Sequence, residues 1–179
     1  MVSRVHSSAG AEVRSIAALL NVPVQPPDIL LRRGASEAEV KKAPLGEYRI
    51  LHWATHAALA GLIQDINEPF LLLSQSGKTR ENDGFFTLSE VLDLRLNADL
   101  VVLSACVTGL GRNVEGEGVA NFARAFQSAG ARRVVVSLWE VASEPTVEFA
   151  TLLYTGLKEG KGYSEALNAA QNAMRKKYP

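Results

Sequence analysis

The sequence is nearly without cysteine and has no excess of charge of either sign. Cys106 is the only cysteine in 179 residues, so the chain cannot form an internal disulfide and nothing indicates an oxidising compartment. Lys and Arg total 19, and Asp and Glu also total 19, which gives a formal net charge of zero. This balance argues against a strongly basic nucleic-acid-binding protein and against an acidic tail protein.

Long apolar runs are missing as well. No stretch approaches the roughly 20 apolar residues that cross a bilayer, and residues 1–8 lack the apolar centre of a signal peptide. We therefore expect a soluble, cytoplasmic protein that binds neither nucleic acid nor a membrane. The length and the hydrophobic content of 47% suit one globular domain over residues 11–179, after a flexible segment of residues 1–10.

Apolar segments alternate with amphipathic ones along the chain. Residues 48–54, 99–105 and 133–139 are almost wholly apolar, which is typical of strands buried on both faces of a parallel sheet. Ser36 with Glu39, and Thr87 with Glu90, have the spacing of a helix capping box. Strands alternating with helices predict an α/β fold whose sheet is covered on both sides.

His56 and Cys106 each follow one of these predicted strands. In open α/β sheets, ligands bind beyond the carboxyl ends of the strands, so the imidazole and the thiol face each other if the strands are neighbours. An adjacent imidazole favours the thiolate and can protonate a leaving amine, which makes covalent acyl transfer feasible. The residues alone leave the alternative that Cys106 is a buried hydrophobe and His56 a structural residue.

A glycine-rich stretch follows Cys106. Gly109, Gly111, Gly116 and Gly118 indicate backbone that turns sharply or approaches a ligand, although an ordinary loop between strand and helix has the same composition. His6 and His52 have no partner at the spacing of metal ligands, so we predict no metal, and we expect no cofactor.

Several blocks of the sequence resemble the CHAT domain, a caspase-like peptidase family often attached to tetratricopeptide repeats. Residues 50–56 (ILHWATH) resemble its histidine motif and residues 98–111 (ADLVVLSACVTGLG) its cysteine motif. Residues 115–119, 123–132 and 136–139 match further blocks in the same order, so the resemblance covers about residues 10–178. It implies a caspase-like three-layer α/β/α sandwich with a mostly parallel central sheet.

The resemblance also implies a cysteine endopeptidase with a Cys–His dyad. Cys106 would attack the scissile carbonyl of a protein or peptide substrate and form a thioester acyl-enzyme, while His56 activates the thiol and protonates the leaving amine. The backbone N–H groups of Cys106 and Ala57 would hold the oxyanion. The family tendency favours a basic P1 residue.

Three positions depart from the family pattern. Ala57 stands where the family usually has glycine, Val107 where it often has glutamate, and residues 140–143 (EVAS) where relatives often read Pro-Val-Asp-Asp. The change at Ala142 removes an acid near the expected cleft and leaves specificity to other residues. We assign to the cleft the residues Ser104, Gly109, Glu115, Glu117, Trp139 and Glu140.

The end of the chain departs from the family too. Relatives continue beyond Pro179 into a tryptophan-containing final strand, so we expect that strand to be missing here. An uncovered sheet edge favours pairing with a second copy or a partner chain. The polar residues 74–84 form a loop that suits proteolytic processing.

Two other functions fit parts of the sequence. Cys106 and Arg112 have the C-x5-R spacing of a tyrosine-phosphatase phosphate loop, although Ala105 replaces the usual preceding histidine, and Glu115 and Glu117 would repel a phosphate dianion. The departures at Ala57 and Ala142 also permit a caspase-like fold kept as a non-catalytic scaffold or sensor.

Overall fold

The computed structural model describes residues 2–3, 7–61, 63, 65–108, 115–137 and 143–178. The helices in this part of the chain are α1 Ser7–Leu20, α2 Glu37–Lys42, α3 Leu88–Leu92, α4 Glu115–Ser128, α5 Ser143–Lys158 and α6 Tyr163–Lys177. The strands are β1 Val2–Ser3, β2 Leu30–Leu31, β3 Ile50–Ala58, β4 Phe70–Leu72, β5 Phe85–Thr87, β6 Leu100–Thr108 and β7 Val134–Val136. The predicted α/β class is confirmed.

The strands described form one mixed sheet around β3 and β6, which run parallel over nine paired positions. β7 extends the sheet beyond β6, again in parallel. The other edge of β3 is shared by two partners: β1 pairs in parallel at Trp53 and Ala54, and β4 pairs antiparallel at residues 56–58. β2 and β5 then flank β1 and β4. The sheet is therefore parallel except for the β4–β5 addition.

Helices cover both faces of the sheet. On one face, α2, α3 and α4 pack on Leu51, Trp53 and Val101 through a large apolar cluster. On the other face, α1, α5 and α6 pack on Leu100 and Val102. The arrangement follows from the strand composition, since a strand that is apolar on both sides needs a helical layer against each face.

Local signals located two helix starts correctly. The Ser36 side chain accepts a hydrogen bond from the Glu39 N–H at the start of α2. Thr87 and Glu90 form the complete capping box of α3, which satisfies backbone donors that the first helical turn leaves unpaired. At the start of α6, Gly162 is the N-cap and Ser164 lies inside the helix.

Other boundaries differ from the prediction. Helix α1 begins at Ser7, and Val2 and Ser3 pair in β1, so part of the segment predicted to be flexible belongs to regular elements. β5 was not predicted, since Gly84 before it and the capping Thr87 at its end have the pattern of a loop. β7 is half-buried rather than fully buried, since among the described residues it pairs only with β6. Whether another chain covers that edge stays a prediction.

Candidate active site at the carboxyl ends of strands β3 and β6

The register of β3 and β6 places the two candidate catalytic residues side by side. His56 and Cys106 are paired positions on neighbouring parallel strands, and Ala57 pairs with Val107. Neighbouring strands lie about 4.8 Å apart, and paired positions lie on the same face of the sheet. The backbone therefore places the two motifs next to each other at one end of the sheet, as the sequence predicts.

Both residues lie inside strands rather than after them. The predicted strands ended at residues 54 and 105, whereas β3 continues to Ala58 and β6 to Thr108. The continuation has a physical cause, since β4 pairs with residues 56–58 and supplies hydrogen-bond partners that the local sequence does not reveal. The Thr55 hydroxyl, at the same end of β3, donates to the Leu72 carbonyl and fastens β4 there.

The backbone direction at Ala57 follows from alternation along the strands. Leu100 N–H donates to Arg49 C=O across the β3–β6 pair, and Val101 N–H donates to Arg133 C=O beside β7. Successive residues of a strand direct their N–H and C=O groups to opposite neighbours, and the register continues to Ala58 without a bulge. The N–H of Ala57 therefore faces β6.

The same alternation directs the N–H of Cys106 towards β3. In this arrangement the N–H groups of Cys106 and Ala57, which were predicted to hold an oxyanion, take part in the pairing of β3 with β6. An oxyanion role requires the last pairs of β3 and β6 to separate, and it stays a prediction.

The remaining predicted cleft residues fall into three groups. Ser104 lies on β6 two positions before Cys106, is half-buried, and pairs with Ala54 of β3. Glu115 and Glu117 belong to the first turn of α4. Gly109, Trp139 and Glu140 lie outside the described residues, as do Arg112 and Ala142.

A buried polar network lies on β3 four residues before His56, and sequence reasoning did not find it. His52 is 1% exposed; its Nε2 lies 3.0 Å from Oε1 of Glu12 on α1, and its Nδ1 lies 3.1 Å from the hydroxyl of Tyr154 on α5. Burial, and then the nearby Glu12 carboxylate, raise the pKa of Tyr154, so its hydroxyl keeps its proton at neutral pH. No local signal joins these residues, since they come from three separate elements.

Trp53 forms part of the core beneath the opposite face of the sheet. Its ring stacks on Phe86, with centroids 5.7 Å apart, and lies at the same distance from Phe126. This packing connects β3 to β5 and α4. Trp53 is 1% exposed and belongs to the large apolar cluster on that face.

In the part of the chain that the structure describes, no group of three or more His, Cys, Asp or Glu side chains is placed to hold a metal ion. Among the helices described, none has the length and apolar character needed to cross a membrane.

Comparison with known proteins identifies the family. The family model of the CHAT domain matches residues 2–178. The chain belongs to the CHAT domain family. The match covers both motif strands and confirms the resemblance seen in the sequence.

Two curated relatives match about half of this CHAT domain. Tetratricopeptide repeat protein 28 of Mus musculus is 39% identical over 97 residues, which are 52% of this chain and 4% of the relative. Tetratricopeptide repeat protein 28 of Homo sapiens is 37% identical over 89 residues, which are 50% of this chain and 4% of the relative. The chain thus spans a very small part of each relative. Both relatives are named for tetratricopeptide repeats.

Proposed function

We propose that this CHAT domain is a caspase-like cysteine endopeptidase in which Cys106 and His56 form the catalytic dyad. The observation that carries the proposal is the in-register pairing of the two positions on neighbouring parallel strands. Paired backbone positions on neighbouring strands are close enough that a thiol and an imidazole there could come within reach of each other, which general-base activation needs. Because the thiol must stay reduced, the proposal places the protein in the cytoplasm.

The proposed reaction has two halves. The Cys106 thiolate attacks the scissile carbonyl, the carbon–nitrogen bond breaks, and His56 gives its proton to the leaving amine, which leaves a thioester. A water molecule then attacks the thioester, His56 takes its proton, and the released thiolate restores the dyad. Holding the oxyanion with the amides of Cys106 and Ala57 would contribute a few kcal/mol to each transition state, roughly 3–4 for one donor.

The substrate class in this proposal is a protein or peptide, with a basic P1 residue as the first choice. The support is the family tendency together with the position of Glu115 and Glu117 in the first turn of α4, the next described element after β6. Carboxylates at that point would attract Lys or Arg. Membership of the CHAT family favours the peptidase over the C-x5-R phosphatase.

The test is covalent labelling with peptidyl acyloxymethyl ketones that carry Arg, Lys, Asp or Leu at P1. Wild type should gain the mass of one probe on Cys106, fastest with Arg or Lys, and Cys106→Ala should gain none. His56→Ala should slow labelling about 10²–10⁴-fold, the usual contribution of a general acid–base residue. Arg80→Ala, in the exposed loop after β4, is the control and should label like wild type.

Thermal unfolding of each variant shows whether it is folded. Labelling of folded His56→Ala at the wild-type rate would contradict the dyad. Hydrolysis of p-nitrophenyl phosphate that depends on Cys106 would replace the peptidase with the phosphatase.

A second function is favoured by the direction of the backbone at the strand ends. The N–H groups of Ala57 and Cys106 face each other's strands and so do not point to where a substrate oxyanion would lie. This favours a non-catalytic scaffold or sensor module. The relatives named for tetratricopeptide repeats fit an interaction role equally well. Absence of labelling with every P1 residue, in protein that unfolds cooperatively, would select this second function.

A further inference from the structure

A buried carboxylate lies against the loop that joins β4 to β5. Glu37, in the first turn of α2, is 2% exposed. Its Oε2 accepts from the N–H of Gly84, the residue before β5, at 2.9 Å, and its Oε1 accepts from Lys41 Nζ at 2.6 Å. A buried charge is costly unless it is paired and hydrogen-bonded, and Glu37 meets both conditions. The carboxylate therefore holds Gly84 in place relative to α2.

The other side of the same loop is also held by the start of α2. Ser74 N–H donates to Ala35 C=O at 2.8 Å. Across the loop, Leu73 N–H donates to Gly84 C=O at 2.7 Å, which extends the pairing of β4 with β5 by one position. Residues 35–37 thus contact both the end of β4 and the start of β5.

Lys41 links the buried carboxylate to two further segments. Its Nζ lies 2.7 Å from Oε1 of Glu90 on α3 and 3.3 Å from the carbonyl oxygen of Glu81 in the loop. Glu90 also completes the capping box of α3, which begins directly after β5. One ammonium group therefore bridges α2, the loop before β5 and the helix after β5.

Alternation along β3 connects this hairpin to His56. Because Arg49 C=O accepts from Leu100 N–H, the odd-numbered residues of β3 direct their backbone groups to β6 and the even-numbered ones to the opposite edge. His56 therefore directs its N–H and C=O to Leu72, its paired position on β4. Leu72 C=O also accepts from the Thr55 hydroxyl. The backbone of His56 thus depends on β4 for its hydrogen-bond partners.

The contact of Glu37 with Gly84 lies close to this pairing. Leu73 bonds to Gly84 on the β5 side, so the adjacent Leu72 faces β3, in agreement with its pairing to His56. The path from Glu37 to His56 passes through Gly84, Leu73 and Leu72, and each step is a hydrogen bond or a single peptide unit. We therefore expect a shift of Gly84 to displace β4 at the position that holds His56.

We propose that Glu37 is a positioning residue for His56, because by holding Gly84 it fixes the part of β4 to which the His56 backbone bonds. The consequence for catalysis rests on the proposed peptidase function, whereas the hold of Glu37 on β4 can be measured without it. A general base must be kept in a productive geometry, and a misplacement of about 1 Å can slow a reaction about 100-fold.

The first measurement is the rate of acyloxymethyl ketone labelling of Cys106. Glu37→Ala should slow labelling by about 10- to 100-fold. Glu37→Gln keeps an acceptor for Gly84 N–H and should label at close to the wild-type rate. Glu39→Ala, which removes only a surface ion pair of the same helix, should label like wild type.

A second control separates positioning from loss of stability. Tyr154→Phe removes a buried hydrogen bond on the other face of the sheet, so it should destabilise the fold to a similar extent as Glu37→Ala. It should nevertheless label like wild type. Thermal unfolding shows that each variant is folded at the temperature of the assay.

The second measurement is amide hydrogen exchange followed by NMR, which requires no catalytic activity. In Glu37→Ala, the N–H groups of His56 and Ala58, which face β4, should exchange about 5- to 150-fold faster. This factor corresponds to the roughly 1–3 kcal/mol cost of an unsatisfied buried N–H. The N–H of Ala57, which faces β6, should exchange as in wild type and is the internal reference.

Unchanged exchange at His56 and Ala58 in folded Glu37→Ala would overturn the proposal, since Glu37 would then not hold β4. Equal slowing of labelling in Glu37→Ala and Tyr154→Phe would also overturn it, because the effect would be a general loss of stability. If wild type is not labelled at all, the peptidase function fails, and faster exchange at residues 56 and 58 would still support the hold of Glu37 on the His56 backbone.

Discussion

His56 and Cys106 are directly paired on two neighbouring parallel strands, and each strand continues two residues beyond its member of the pair. The pairing brings together the residue types of a cysteine peptidase. Because the strands stay paired at this end, the N–H groups of Cys106 and Ala57, which such an enzyme would need to hold an oxyanion, face the neighbouring strand. Substitutions at this end of β3 and β6 can therefore test whether the pairing of the two strands limits the proposed reaction.

Ala57→Gly should raise the rate of acyloxymethyl ketone labelling by about 2- to 5-fold. Glycine weakens a strand by roughly 0.5–1 kcal/mol relative to alanine, which would favour separation of the ends of β3 and β6 by that same 2- to 5-fold. The control is Ala54→Gly, three residues earlier on β3 and also buried, which should not accelerate labelling. An unchanged or lower rate in folded Ala57→Gly protein would show that separation of the strands does not limit the reaction.

Tyr154→Phe should lower the free energy of unfolding by roughly 1–3 kcal/mol, since His52 Nδ1 would lose its partner inside the protein. Denaturant unfolding measures the change. Tyr178→Phe is the matched control, because the Tyr178 hydroxyl bonds Glu148 at the surface and its loss should cost little. If the two substitutions lowered the free energy of unfolding equally, burial of the His52 network would contribute nothing to stability.

Glu37→Ala should expose the loop of residues 74–84 to trypsin. Glu37 is 2% exposed; it accepts from Gly84 N–H at 2.9 Å and from Lys41 Nζ at 2.6 Å, and Lys41 also donates to the Glu81 carbonyl. Removing the carboxylate leaves a buried N–H unsatisfied, at a cost of roughly 1–3 kcal/mol. Cleavage at the exposed Lys78 and Arg80 should therefore become faster.

The control for that loop is Glu39→Ala on the same helix. Glu39 pairs with Lys42 at 3.0 Å on the surface, and exposed pairs contribute about 0–1 kcal/mol. Its tryptic cleavage should match that of wild type, and faster cleavage of both variants would assign the effect to α2 as a whole.

Asp99→Asn should remove part of the acid sensitivity of the fold. Hydrogen bonding to Arg49 is the main cause that lowers the pKa of Asp99, and Arg132 adds to it from 2.8 Å. Because the folded pKa is lowered, the stabilisation is complete above the ordinary aspartate pKa of about 4 and is lost as the pH falls through the folded value.

The free energy of unfolding measured from pH 7 to pH 2 should therefore fall more steeply for wild type than for Asp99→Asn. The difference between the two proteins should be largest at pH 7 and narrow below pH 4. Asp93→Asn, at an exposed position after α3, should follow the wild-type curve. A constant difference at every pH would show that the Asp99 charge is not the source of the stabilisation.

The neighbouring placement of the two candidate residues could be predicted because its signals are local. A strand that is apolar on both faces indicates a covered parallel sheet, and residues near the carboxyl ends of such strands meet at one edge. His56 and Cys106 were found in this way, with the CHAT motifs around them. The capping residues Ser36 and Thr87 were equally readable, since a cap depends on a side chain and the backbone three residues away.

Other features depended on partners distant in the chain. The sequence by itself determined the α/β class, the family and the two candidate catalytic residues. Only the tertiary structure decided how far β3 and β6 extend, which way the Ala57 amide faces, and that Glu12 and Tyr154 enclose His52. The physical reason is that ladder bonds and buried polar contacts need a second segment, whose position the pattern of one segment does not contain.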